Sequence, residues 1–155
     1  MNFERSITCS FSGHRILPKD FDTDELEKAV YNAINDGFLY FLVGMAIGFD
    51  TVCFETLLKF KREKDVFITA CVPCRDQAEF FNKKQKKRYE GLLKQADEVI
   101  FLSEKYYEGC MQARNEFMVD NSSRLICYLK TNYGGTYSTV RYAVEKNLDI
   151  VYLDR

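Results

Sequence analysis

Gly44 and Gly48 stand four residues apart, with Asp50 two positions further on, between a short apolar run and a helix-like stretch. A strand, a glycine turn and a helix start aim unpaired backbone N–H groups at an anion, so Gly44, Met45, Ala46 and Gly48 read as a wall for a phosphate or another negative group. Asp50 falls in the first helical turn. Its carboxylate either favours the helix dipole or accepts hydrogen bonds from a ribose or a base edge. The spacing is not the GxGxxG fingerprint, so it does not specify a nicotinamide dinucleotide.

Three further groups have suitable chemistry. Ser12, Gly13, His14 and Arg15 combine a hydroxyl, a free backbone approach and two nitrogen donors, which suit a phosphate or carboxylate; the plainer alternative is a loop whose His14 and Arg15 only hold neighbouring segments. Gly134, Gly135 and Thr136, ahead of a helical pattern, form a second phosphate cradle, or else an ordinary glycine turn. Arg114 and Asn115 offer a planar donor fork and an amide; a surface arginine is the alternative.

Other features point elsewhere. Cys71 and Cys74 have CxxC spacing, but zinc needs about four ligands and the chain has one histidine and no second CxxC, so no metal site is expected. The cluster from Lys83 to Arg88 circles a helix and reads as a solvated face. Tyr106 and Tyr107 either stack a base or pack over a sheet edge.

The elements that must position these residues alternate. Strands are expected at Ile7–Phe11, Leu39–Val43, Val66–Val72, Glu98–Leu102, Arg124–Leu129 and Ile150–Leu153. Helices are expected from Asp22 or Thr23 to Gly37, from Asp50 to about Arg62, from Ala78 to Ala96, over Cys110–Asn121, and around Val140–Val144. This pattern predicts right-handed βαβ units in an α/β, Rossmann-like three-layer sandwich with a mainly parallel sheet of about six strands. The loops at Ser12, Gly44, Pro73, Ser103 and Gly134 then gather at one sheet edge, where such folds bind ligands.

At 155 residues and 46% hydrophobic composition, a single domain over residues 1–155 is expected. The 22 basic and 23 acidic side chains nearly cancel, so any polyanion site must be local and nucleic acid is the disfavoured partner. No apolar run reaches the roughly 18 residues of a membrane helix, and residues 1–5 lack a basic-then-apolar leader, so a cytoplasmic protein with reduced thiols and no membrane partner is expected. A homo-oligomer stays open.

The ordered set SGHR, GMAIGFD, MQARNEFMVD and GGTYSTVRYA resembles the YpsA-like branch of the SLOG superfamily, over about Ile7 to Leu153. That superfamily joins the DNA-processing Smf/DprA proteins to LOG-type phosphoribohydrolases. The resemblance implies a nucleotide or nucleotide-derived ligand at the strand ends, held by residues from the four motifs, with no other cofactor required. LOG-type enzymes cleave the N-glycosidic bond of nucleoside monophosphates with an arginine, which Arg114 matches, and a glutamate after a PGGxGTxxE loop. Here the proline is Tyr133, the third glycine is Tyr137 and the glutamate position holds Arg141. Ligand binding, as in a sensor, is therefore the leading expectation. An N-glycosidase, with a carboxylate from Glu116 or Asp120, and a single-stranded DNA binder using the Lys83–Arg88 cluster are the alternatives.

Overall fold

The computed structural model describes residues 4–154. Its strands are β1 (Thr8–Gly13), β2 (Tyr40–Val43), β3 (Phe67–Val72), β4 (Glu98–Phe101), β5 (Arg124–Tyr128) and β6 (Asp149–Tyr152). Its helices are α1 (Thr23–Asn35), α2 (Phe49–Lys61), α3 (Lys83–Gln95), α4 (Cys110–Asp120) and α5 (Gly134–Glu145). All strand pairs are parallel, in the order β4-β3-β2-β1-β5-β6. The chain steps outward from β1 to β4, then crosses back to place β5 on the other side of β1. That reversal opens a crevice at the carboxyl ends of the central strands.

Helices cover both faces, giving the three-layer Rossmann-like sandwich. α1, α2 and α3 pack side by side on one face, over Cys9, Phe11, Phe41, Val43, Ile68 and Ala70; α4 and α5 pack together on the other, over Leu42, Cys71, Leu125 and Cys127. Side chains alternate between the faces along each strand, and both faces are buried, so the central strands read as continuous apolar runs. Phe41, Phe49 and Phe54 are fully buried, each contributing about 1.5–3 kcal/mol. On β1 the α4 side carries Ser10 instead of an apolar residue. Its hydroxyl donates to Met118 O at 3.1 Å and pairs with Ser122 Oγ, tying the strand to the end of α4.

The helix starts have visible causes. Asp22 caps α1 by accepting from the Asp24 and Glu25 amides at 3.0 and 3.1 Å, and Gly37 (φ +98°) ends the connection. The single helix expected from Ala78 to Ala96 is divided. A 3-10 turn at Gln77–Phe80 gives way to extended Phe81, and α3 starts after Asn82. Asn82 Oδ1 accepts from Gln85 N at 2.8 Å while Gln85 Oε1 accepts from Asn82 N at 3.0 Å, a reciprocal cap that opens a new helix. Gly134 and Gly135, expected in a turn ahead of the last helix, are the first residues of α5 itself.

No helix among the described residues is long and apolar enough to cross a membrane. Nor does any group of three or more His, Cys, Asp or Glu among them sit where it could hold a metal ion. Burial pushes the Cys71 thiol up to about 12, and burial together with Asp76 does the same for Cys74, which leaves both poor nucleophiles at neutral pH.

Candidate functional site

The crevice at β1 holds a cavity of about 580 Å³. Ser12, Gly13, His14 and Arg15 enter it from the end of β1, and Gly44, Ala46 and Asp50 from the β2–α2 turn. Arg114 and Asn115 come from α4, and Gly134, Gly135 and Thr136 from the start of α5. Residues more than 100 positions apart in sequence therefore share one wall because parallel strands all end on the same edge.

At the base lies a buried polar cluster around Gly44. Arg114, only 4% exposed, donates from Nη1 to Gly44 O and from Nε to Asn115 Oδ1 at 2.7 Å. Asp50, 7% exposed, accepts from Ala46 N at 3.0 Å through Oδ2. Burial raises the Asp50 carboxyl above its ordinary range, opposed by the Arg114 guanidinium, the Ala46 amide and Arg15. Burial likewise lowers Arg114, opposed first by Asp50, yet a guanidinium keeps its charge at any ordinary pH. A Cβ on Gly44 would lie 2.9 Å from Arg114 Nη1 and 3.0 Å from Asp50 Oδ2, so only glycine lets the two side chains come this close to the turn.

Gly13 and Gly48 act differently. A Cβ on Gly13 would sit 2.7 Å from Phe49 Cβ and closer still to its ring. Gly48 has φ +81°, and a Cβ there would collide with the Arg15 carbonyl and lie 2.7 Å from Arg15 Cα. These two glycines let the β1 turn seat directly on the start of α2, an arrangement closed by Phe49 N donating to His14 O at 3.1 Å. Gly48 and Met45 do not line the main cleft but an adjoining cavity of about 160 Å³. Met45 holds φ 66°, its side chain is buried, and its carbonyl accepts from Gln77 Nε2 at 3.0 Å.

His14 meets the cleft as a neutral ring. Its Nε2 accepts from Lys130 N at 2.8 Å, so that nitrogen carries no proton, and burial lowers its pKa. Only Nδ1–H is left to donate. The positive charge at the cleft comes from Arg15, Arg114 and Lys130, the last paired with Asp154.

α5 follows Tyr133, whose side chain makes no capping bond; α2 and α4 likewise start without a side-chain cap, whereas Asp22 and Asn82 cap α1 and α3. A Cβ on Gly134 or Gly135 would meet nothing within 4 Å. Unlike Gly13, Gly44 and Gly48, these glycines leave open space beside amides that have no partner within the helix.

This arrangement can be compared with known proteins. A profile of the YpsA family, described as the YspA SLOG family, matches residues 23–152. The chain belongs to that family. Among its relatives, a UPF0398 protein of Bacillus pumilus is 28% identical over 115 residues, covering 72% of this chain and 62% of that protein. The SPbeta prophage-derived protein YoqJ of Bacillus subtilis is 26% identical over 116 residues, covering 66% of this chain and 68% of YoqJ. In fold, the chain is similar to DNA processing protein A (DprA) of Streptococcus pneumoniae, with a TM-score of 0.70 at 18% identity over 95% of this chain. DprA of Helicobacter pylori, whose structure is described by its single-stranded DNA binding mode, gives 0.69 at 18% identity over 96%. The chain spans 52% and 66% of those two proteins.

Around this cleft, sequence reasoning missed several residues. Lys130, Thr131, Tyr133 and Met111 also line the cleft, and Gln77 holds the Met45 carbonyl from outside it. Lys130 and Thr131 directly follow β5, so their position at a parallel-strand end was the available signal. Gln77 had none, because its contact joins loops 32 residues apart. Arg141 is exposed on α5, donates to Tyr137 Oη at 3.1 Å and does not line the cleft. Glu116 and Asp120 stay on α4 outside it, bonded to Gln112 and Tyr142.

Proposed function

We propose that the cleft binds a nucleotide or nucleotide-derived ligand, with its phosphate on the Gly134–Thr136 amides and its ribose or base against Asp50 and Asn115. The observation that carries this reading is the start of α5: a helix N-terminus with no side-chain cap and two glycines facing open space, across a cavity of ligand size from Arg15 and Arg114. The YpsA-family match supports a SLOG-type ligand site. Six buried cysteines, spread through the core as small apolar side chains, suit a reducing compartment such as the cytoplasm, where the protein would act as a sensor.

Binding is favoured over N-glycosidic cleavage. Glycosidic hydrolysis ordinarily uses two carboxylates flanking the scissile bond. Asp50 is the acidic residue lining this cleft, and it is already bonded to Ala46 and faced by Arg114. A second reading, single-stranded DNA, draws on the similarity to Helicobacter pylori DprA. In that case affinity would fall steeply with salt and with neutralisation of Lys83, Lys84, Lys86 and Lys87.

A thermal-shift screen with nucleoside mono- and diphosphates, NAD, ADP-ribose and cyclic dinucleotides tests the leading reading. At least one compound should raise the melting temperature in a concentration-dependent way. No shift with any of them, together with salt-sensitive binding of a single strand, would transfer the site to the second reading.

A further inference from the structure

We infer that the ligand of this cleft carries a second nucleotide unit, whose base stacks on Phe80 and Tyr106 and whose linking phosphate meets Arg15. This rests on the nucleotide reading above. A second cavity of about 450 Å³ adjoins the first and shares Arg15, Ala46 and Met111 with it, so one ligand can extend from one to the other without leaving the surface. Its outer wall is aromatic. Phe80 is 70% exposed and Tyr106 50% exposed, with ring centroids 5.9 Å apart at 64°.

The two rings come from different loops, after β3 and after β4, and hydrogen bonds hold those loops in register. Tyr106 N donates to Asp76 Oδ1 at 3.0 Å and Arg75 N donates to Ser103 O at 2.9 Å. A pre-positioned, solvent-facing aromatic pair beside a polar cleft suits a flat π-system with a hydrophilic edge, which describes a nucleobase. Arg15 stands at the junction, is exposed, and forms no salt bridge among the described residues. A guanidinium there is placed for the phosphate that joins two nucleosides. The shared chemistry belongs equally to a free dinucleotide and to the end of a single strand.

Calorimetric titration of the full chain with AMP against pApA, and with TMP against pTpT, tests this. The two-base ligands should bind about tenfold tighter than the one-base ligands, within the range contributed by one stacked base. Tyr106→Ala and Phe80→Ala, both at exposed positions, should each reduce that gain and leave mononucleotide affinity unchanged. A further gain with a twelve-nucleotide dT strand assigns a strand, and its absence a free dinucleotide; both keep the second subsite. Equal affinity for one- and two-base ligands, or a gain that survives both substitutions, overturns this inference while the nucleotide reading stands. Failure of all these ligands to bind overturns both.

Discussion

Arg114 and Asp50 both crowd the bare Cα of Gly44, whose missing Cβ would lie 2.9 Å from one and 3.0 Å from the other. The guanidinium holds the Gly44 carbonyl and the carboxylate holds the Ala46 amide, so the turn after β2 is fixed from both sides. Gly44→Ala should force Arg114 to shift and break its bond to Gly44 O. The expected cost is about 1–3 kcal/mol in urea unfolding. A stability equal to wild type would show that the cluster has room to spare.

Asp50 gives a pH signature. Its folded pKa lies above the ordinary 3.8, so the folded state binds a proton that the unfolded state has released, and the associated stability is lost as pH rises from 3.8 through the folded pKa. Asp50→Asn keeps an acceptor for Ala46 N and removes the buried charge. The variant should therefore gain stability relative to wild type as pH rises through that window. Parallel stability–pH curves for the two proteins would contradict the assignment.

His14 acts in the opposite sense. Its folded pKa is depressed below 6.5, so the unfolded chain protonates first and stability is lost as pH falls below 6.5 toward the folded value. Protonation of Nε2 also removes the acceptor for Lys130 N. Wild type should lose stability relative to His14→Gln over that range and show no relative change above it. A ring titration by NMR with a midpoint at or above 6.5 would disprove the neutral staple.

Gly48 is a fold position. With φ +81° and the Arg15 backbone in the path of a Cβ, Gly48→Ala should cost about 3 kcal/mol or more, visible as a collapsed melting temperature. The same substitution at Gly135, in open space, should leave the melting temperature nearly unchanged. Equal effects at the two glycines would remove the distinction between packing and ligand-facing glycines.

That distinction marks the limit of what the sequence shows. Periodicity and turn residues disclose β1 to β6 and most helix bounds, because apolar runs and caps are local. Parallel connectivity brings Ser12, Gly44, Arg114 and Gly134 to one edge, so their meeting was also legible. What Gly13, Gly44 and Gly48 accommodate was not, since a Cβ on each would meet a residue from another turn or helix. The break at Asn82 was hidden because both sides of it carry helix-compatible residues; its signal is the Asn82–Gln85 spacing. The protonation of His14 depends on the Lys130 amide, 116 positions away.

In the proposed complex the open glycine start of α5 receives a phosphate. Calorimetric titration of AMP and adenosine into wild type and Gly135→Asp tests it most directly. A carboxylate at a helix N-terminus favours the helix but repels a bound phosphate, so the variant should stay as stable as wild type. AMP should bind wild type at least about tenfold tighter than adenosine, the value of one charge-assisted contact set, and that preference should vanish in Gly135→Asp. Equal affinity of wild type for AMP and adenosine, or an AMP preference that survives the substitution, would contradict the account.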